Sequence, residues 1–264
     1  LPALAQFRGR IMIEAIGLSH PSLRMLLYRL RYDLRTIASS YPSIYLPIVR
    51  RMRSSRQRFI EPGTELVIEG FPRSGNTFTQ AAFEFAQQRP VRTAHHLHAP
   101  AQVIEAVRHG IPTLIVIRPA RNAVVAWAMT DTRLGLRQVL WSYLRYHRAI
   151  EPYVGECLVA RFDQVTSDLA AVIRRINRRF STEFDEFPHT PENVERVFAI
   201  LRAIAKSRIP DRLGFENIPD PQAPREAQRK LLLEQFDLLP DGMRREADRL
   251  YERLAQHAAE TPCA

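Results

Sequence analysis

The sequence predicts an α/β fold: a central parallel sheet with helices on both faces and added helices at the N- and C-terminal ends. Three observations predict it. Runs of strand length, T-E-L-V-I-E-G at 64–70, P-T-L-I-V-I-R at 112–118 and C-L-V-A-R-F at 157–162, are apolar along their length rather than alternating, as in strands covered on both faces. Stretches of helical period lie beside them, N-T-F-T-Q-A-A-F-E-F-A at 76–86, A-R-N-A-V-V-A-W-A-M at 120–129 and L-A-A-V-I-R-R-I-N-R-R-F at 169–180. A glycine loop joins the first strand to its helix.

Before that strand, S-L-R-M-L-L-Y-R-L-R-Y-D-L-R-T-I at 22–37 carries apolar and arginine residues at helical spacing, and V-R-R-M-R-S-S-R-Q-R follows at 49–58. Such a helix is expected to turn its arginines to water around the core. A basic amphipathic helix is also suited to an anionic membrane or an acidic partner. The strand, tight loop and helix over 64–86 place a helix N-terminus at the loop, where unpaired N–H groups and the helix dipole favour an anion. Beyond about 185 the periodicity weakens. Prolines at 210, 219, 221 and 224 predict an extended segment, and residues 225–259 return to helical period.

At 264 residues, 45% of them hydrophobic, the chain can build one sizeable core. It divides into a helical N-terminal extension over 1–60, an α/β core over 64–185 and a helical C-terminal part over 186–264, all in one domain. The net charge is +10, carried almost wholly by arginine, since lysine occurs only at Lys206 and Lys230. Arginine suits bidentate capture of phosphate or sulfate, although a GC-rich genome produces the same bias. Cys157 and Cys263 have no partners at metal-like spacing, which argues against a zinc finger or disulfide scaffold and fits a reducing, cytoplasmic compartment. No run reaches the roughly 18 apolar residues that span a bilayer, and the first residues lack the pattern of a signal peptide. The basic helices leave peripheral contact with the inner face of a membrane open. No recognised nucleic-acid motif is present, so no nucleic-acid partner is expected.

The loop itself, E-G-F-P-R-S-G-N-T-F at 69–78, has the glycine spacing of a nucleotide-binding P-loop, with Gly70, Gly75 and Thr77 in place. The lysine place, however, is Asn76, and the cation, Arg73, stands inside the loop. That arrangement suits one phosphate with a charged group beside it better than a magnesium-chelated triphosphate.

Three segments together, the loop, A-H-H-L-H at 94–98 and I-R-P-A-R-N-A-V-V-A-W at 117–127, resemble the sulfotransferase family that uses 3′-phosphoadenosine 5′-phosphosulfate (PAPS). The family's loop has the form P-[KR]-S-G-T-[TS], matched here by Pro72, Arg73, Ser74, Gly75, Asn76 and Thr77. Its R-x-P-x-x-x-x-x-S segment is matched from Arg118, and its K-T-H-L-P-like stretch at His96-Leu97; the match runs from roughly 65 to 180. The resemblance implies that the N–H groups from Ser74 to Thr77, with the Thr77 hydroxyl, hold the 5′-phosphate, and that Arg73 stabilises charge on the bridging oxygen. It implies that Phe78 stacks on the adenine, that Arg118 holds the 3′-phosphate, and that His96 is the general base. His95 and His98 are its rivals, and an H-x-H metal pair is a further alternative, but no nearby carboxylate or cysteine completes a set, so no metal is expected. The chain departs from the family in three places. The serine that shares the 3′-phosphate is Ala126, with Arg121 as a substitute cation; the tyrosine of a Y-E-D-L-like stretch is Phe162; and the late R-K-G loop is matched most nearly by Arg212-Leu213-Gly214.

The function implied is transfer of a sulfuryl group from PAPS to a hydroxyl of a carbohydrate, glycolipid or small-molecule acceptor. Two alternatives remain at this point: a P-loop kinase for a small molecule, which lacks its lysine here, and a non-catalytic basic binding module.

Overall fold

The computed structural model describes residues 22–51, 59–208 and 226–259. Four strands form one parallel sheet: β1 (Leu66–Glu69), β2 (Thr93–His95), β3 (Thr113–Ile117) and β4 (Leu158–Arg161), in the order β2-β1-β3-β4. Val67 stands between Ala94 and Thr113, and Ile115 and Ile117 pair with Val159 and Arg161. Three of these are the apolar runs of the sequence. β2 is an addition, and its three residues are too short for any period to register.

Helices cover both faces. In chain order they are α1 (Leu23–Ala38), α2 (Pro42–Arg51), α3 (Asn76–Ala86), α4 (Pro100–Arg108), α5 (Ala120–Thr130) and α6 (Leu136–Ile150). A short 3₁₀ turn at Glu151–Glu156 leads to β4, and α7 (Phe162–Ser167), α8 (Leu169–Phe180), α9 (Pro191–Arg208), α10 (Glu226–Asp237) and α11 (Asp241–Gln256) follow. Asp168 caps α8 by accepting the Ala171 N–H at 3.0 Å. The helical period expected over 225–259 is split in two, because Pro240 has no N–H to continue α10 and instead stands at the N-cap of α11.

Successive residues of β3 point to opposite layers. Leu114 and Val116 pack with Phe83 of α3, Ile173 and Ile176 of α8 and Val197 of α9; Ile115 and Ile117 pack with Val124 of α5, Tyr143 of α6 and Leu250 of α11. This two-sided burial explains why the strands read as unbroken apolar runs. Cys157, at the entry to β4, is buried with its thiol pushed up to about 12 by that burial; Cys263 lies outside the described residues. None of the helices among the described residues is long and apolar enough to cross a membrane.

Helix α1 docks differently. Its tyrosines face inward: the Tyr28 hydroxyl meets the Asp131 carboxylate, and the Tyr32 hydroxyl lies 2.8 Å from Ser142 Oγ. The expectation that its arginines face water holds for Arg24 and Arg31, but its leucines face water as well.

Candidate anion-binding and catalytic site

From β1 the chain goes first to β2 on one side and then across to β3 on the other, so a crevice opens beyond the carboxyl ends of β1 and β3. Open α/β sheets bind ligands at such a reversal. The loop 70–75 forms one wall. A Cβ on Gly70 would lie 2.3 Å from the Val116 carbonyl oxygen and 2.6 Å from Asn76 Oδ1, so only glycine fits there. Phe71 to Ser74 form a turn closed by the Ser74 N–H donating to the Phe71 carbonyl at 3.2 Å. Pro72 takes its second position and Arg73, with φ of 68°, its third, a place normally given to glycine. Holding an arginine left-handed costs about 1–3 kcal/mol, a strain characteristic of functional sites. Gly75 is left-handed too, with φ of 101°, and as N-cap it leaves the first turn of α3 without a side-chain cap. The hydroxyl Oγ of Ser74 is buried with no protein partner.

Asn76, in the place of the P-loop lysine, is buried and braces the loop: its Nδ2 donates to the Gly70 carbonyl at 3.2 Å and the Phe71 carbonyl at 3.1 Å. Its amide nitrogen is therefore committed to the loop, while its Oδ1 is buried without a partner and its backbone N–H is left for a ligand. Phe78 is corrected by the structure. Only 4% exposed, its ring packs against Phe187, Phe198 and His189, so it belongs to the core and not to an adenine stack.

Arg118 leaves the end of β3 and donates to the Arg73 carbonyl at 2.9 Å, while its guanidinium carbon lies 4.0 Å from the ring centroid of Phe162. The same ring backs Gly75, where an added Cβ would meet it at 3.1 Å. Phe162, whose missing hydroxyl marked a departure from the family, thus serves as a platform between loop and arginine. Burial first, then the charges of Arg73 and of Arg229 on α10, push Arg118 down to about 10. An anion beside Arg118 would stabilise its charge against that burial. Arg121 is turned away from this point and forms an exposed bidentate pair with Asp237, at 2.9 and 2.7 Å, which fastens α5 to α10. Ala126 contributes a carbonyl to the Thr130 hydroxyl at 3.0 Å. Arg212 and Gly214 lie outside the described residues.

The histidines sit on the other wall. β2 ends at His95, and His96 and His98 are both left-handed, with φ of 61° and 51°. Glu69, fully buried at the end of β1, shapes this turn by accepting the N–H of Leu97 at 2.8 Å, the N–H of His98 at 3.0 Å and Gln102 Nε2 at 2.9 Å. Burial pushes its carboxyl up to about 8 against those hydrogen bonds. His98 donates from Nδ1 to the Gly70 carbonyl at 2.9 Å, and burial pushes it down to about 4, so it is neutral and engaged. His95 Nδ1 and His96 Nδ1 are 2.5 Å apart, so one of them carries the hydrogen. When His96 carries it, its Nε2, 3.1 Å from Thr77 Oγ1, is a proton acceptor at the mouth of the loop. The structure therefore brings Arg73, Ser74, Thr77, His96 and Arg118 to one crevice. The sequence reading missed Glu69 and Arg229. A carboxylate ending an otherwise apolar strand was the available signal for the first; nothing local marked the second.

Among the described residues no group of three or more His, Cys, Asp or Glu side chains is arranged to hold a metal. No protein-family model and no curated protein matches the chain. Among solved structures it is similar to the mouse sulfotransferase SULT7A1 complexed with PAP, at 12% identity and a TM-score of 0.44, covering 78% of this chain and 91% of that one.

Proposed function

We propose that the chain is a sulfotransferase that takes its sulfuryl group from PAPS and gives it to a hydroxyl of a carbohydrate, glycolipid or small-molecule acceptor. The observation that carries this reading is Arg118, stacked on Phe162, bonded to the Arg73 backbone and depressed by burial and two further guanidiniums at the end of β3. A buried cation at the end of β3, beside an uncapped helix start, suits an anionic ligand.

The phosphate end of PAPS fits these residues. Ser74 Oγ is buried without a protein partner, the first turn of α3 has no side-chain cap, and the Gly70 and Gly75 positions keep side chains out of the cradle. With the Ser74 N–H closing the turn onto Phe71, the N–H groups of Gly75 to Thr77 and the hydroxyls of Ser74 and Thr77 would hold the 5′-phosphate, and Arg118 the 3′-phosphate. PAPS, when bound, supplies an activated sulfuryl group on a phosphate leaving group. Arg73, rigid in its turn, neutralises charge as it grows on the oxygen that leaves; preorganisation of this kind removes the cost of orienting a dipole during the reaction. When the hydrogen shared with His95 lies on His96 Nδ1, His96 takes the acceptor proton at Nε2, beside the Thr77 hydroxyl.

The test is calorimetric titration with PAP, ADP and ATP, with and without magnesium, on the protein and on Arg118→Ala. Selective, magnesium-independent binding of PAP that weakens in the variant supports the reading. Equal or tighter binding of magnesium-ATP overturns it in favour of a kinase.

A further inference from the structure

Helix α1 is amphipathic with its faces exchanged. The side against the protein is polar: Tyr28 meets Asp131, Tyr32 meets Ser142, and Gln138 donates to the Arg29 carbonyl at 3.0 Å and to Asp33 at 2.7 Å. The side toward solvent carries Leu23, Leu26, Leu27, Leu30, Leu34 and Ile37, between 40% and 70% exposed. Their spacing of three and four residues places them on one stripe. Ile44 and Ile48 of α2, 55% and 49% exposed, add to the apolar surface of this helical pair. Single exposed leucines need no explanation, but a continuous row of them marks an interaction face.

The charge around the row selects the occupant. Arg24 and Arg31 on α1, and Arg50 and Arg51 at the end of α2, are exposed. The acid of α1, Asp33, is engaged by Gln138, and α2 contains no acid. A second copy of the chain would bring two arginine-edged patches together, whereas a bilayer with anionic headgroups takes leucines into the acyl boundary and arginines at the headgroups. We infer that α1 and α2 dock the protein onto an anionic membrane surface. The docked pair adjoins the histidine wall of the crevice, since Tyr45 and Leu46 on the inner side of α2 pack on Leu97 and Ala99, and the Ser39 carbonyl accepts the Ala101 N–H at 2.8 Å. The inference goes beyond the sulfotransferase reading and does not depend on it.

The experiment is co-sedimentation of the full chain with vesicles of phosphatidylcholine alone and of phosphatidylcholine with phosphatidylglycerol. Binding to the anionic vesicles is expected, weaker at high salt, and lowered about tenfold or more by the double variant Leu30→Glu/Leu34→Glu with unchanged circular dichroism. Arg24→Ala/Arg31→Ala is expected to weaken binding to anionic vesicles alone. PAP titrations of both variants are expected to match the parent, which keeps this test separate from that of the cofactor. Indifference to phosphatidylglycerol, or full binding by the glutamate variant, overturns the inference. A dimer in sedimentation velocity that the glutamate variant turns into a monomer would assign the face to a second copy. Binding that appears only after removal of residues 1–21 would assign it to the chain's own N-terminal segment.

Discussion

Arg118 is held between Phe162 and Arg73: its guanidinium lies over the phenyl ring at 4.0 Å and donates to the arginine backbone at 2.9 Å. A partly desolvated cation–π contact is worth about 1–2 kcal/mol, so Phe162→Ala is expected to raise the Kd for PAP about tenfold through loss of alignment. Phe162→Tyr, which keeps the ring, is expected to bind at least as well as the parent. Calorimetry on the two variants checks the pair; an alanine variant with parental affinity would remove the platform role.

Arg73→Ala is expected to lower kcat about 10²-fold or more while changing PAP affinity much less, because a cation placed for developing charge acts on the transition state. His96→Ala is expected to lower kcat to a similar extent, since it removes the proton acceptor. Both are read from sulfuryl transfer once an acceptor is in hand. Normal turnover by both variants would end the assignment.

Gly70→Ala places a methyl 2.3 Å from the Val116 carbonyl and is expected to destabilise by about 3 kcal/mol or more through displacement of the loop from the β1–β3 pair. Gly242→Ala, with open space around its Cβ in the first turn of α11, is expected to stabilise by about 0.5 kcal/mol. Urea unfolding of the two variants makes the comparison.

Stability is expected to depend on pH through buried groups of opposite sign. His98 and His147 are both pushed down to about 4, so the stability they contribute is fully present above about 6.5 and is lost as pH falls toward 4. At about 1.4 kcal/mol per pKa unit, each contributes at most roughly 3 kcal/mol. Glu69, pushed up to about 8, contributes in the other sense: its share is present below about 4.5 and is lost as pH rises through 8. Thermal unfolding from pH 4 to 9 should show a decline at both ends, and Glu69→Gln should flatten the alkaline one. An unchanged alkaline limb in that variant would place its cause elsewhere.

Arg121→Ala is expected to change stability by less than about 1 kcal/mol, as for exposed ion pairs generally. Its effect on PAP affinity is expected to stay within about threefold, since the guanidinium engages Asp237 rather than the loop. A tenfold loss would show that the side chain leaves Asp237 for the ligand.

What was legible in the sequence was what repeats locally. β1, β3 and β4 and the helices at 76–86 and 169–180 announce themselves by unbroken apolarity or a 3.6-residue period, and the loop by its glycines. β2 is three residues long and offers no period. Phe78 was misread because its surroundings come from Phe187 and Phe198, more than a hundred residues away. The purpose of Phe162 could not be read for the same reason: its partners Arg118 and Gly75 meet it only through the adjacency of β3 and β4 and the packing of the loop. Local pattern places elements, and side-chain roles wait on which elements become neighbours.

The order β2-β1-β3-β4 also bears on how the protein acquires its site in time. No two of these strands are joined by a hairpin; each pairing closes a crossover, and such long closures form late in folding. Arg73, Arg118 and Phe162 follow three strands that two of those closures, β1–β3 and β3–β4, bring together, so a chain that has formed only local structure has nothing with which to grip an anion. A bound ligand would then slow unfolding in proportion to its concentration and leave the rate of refolding almost unchanged.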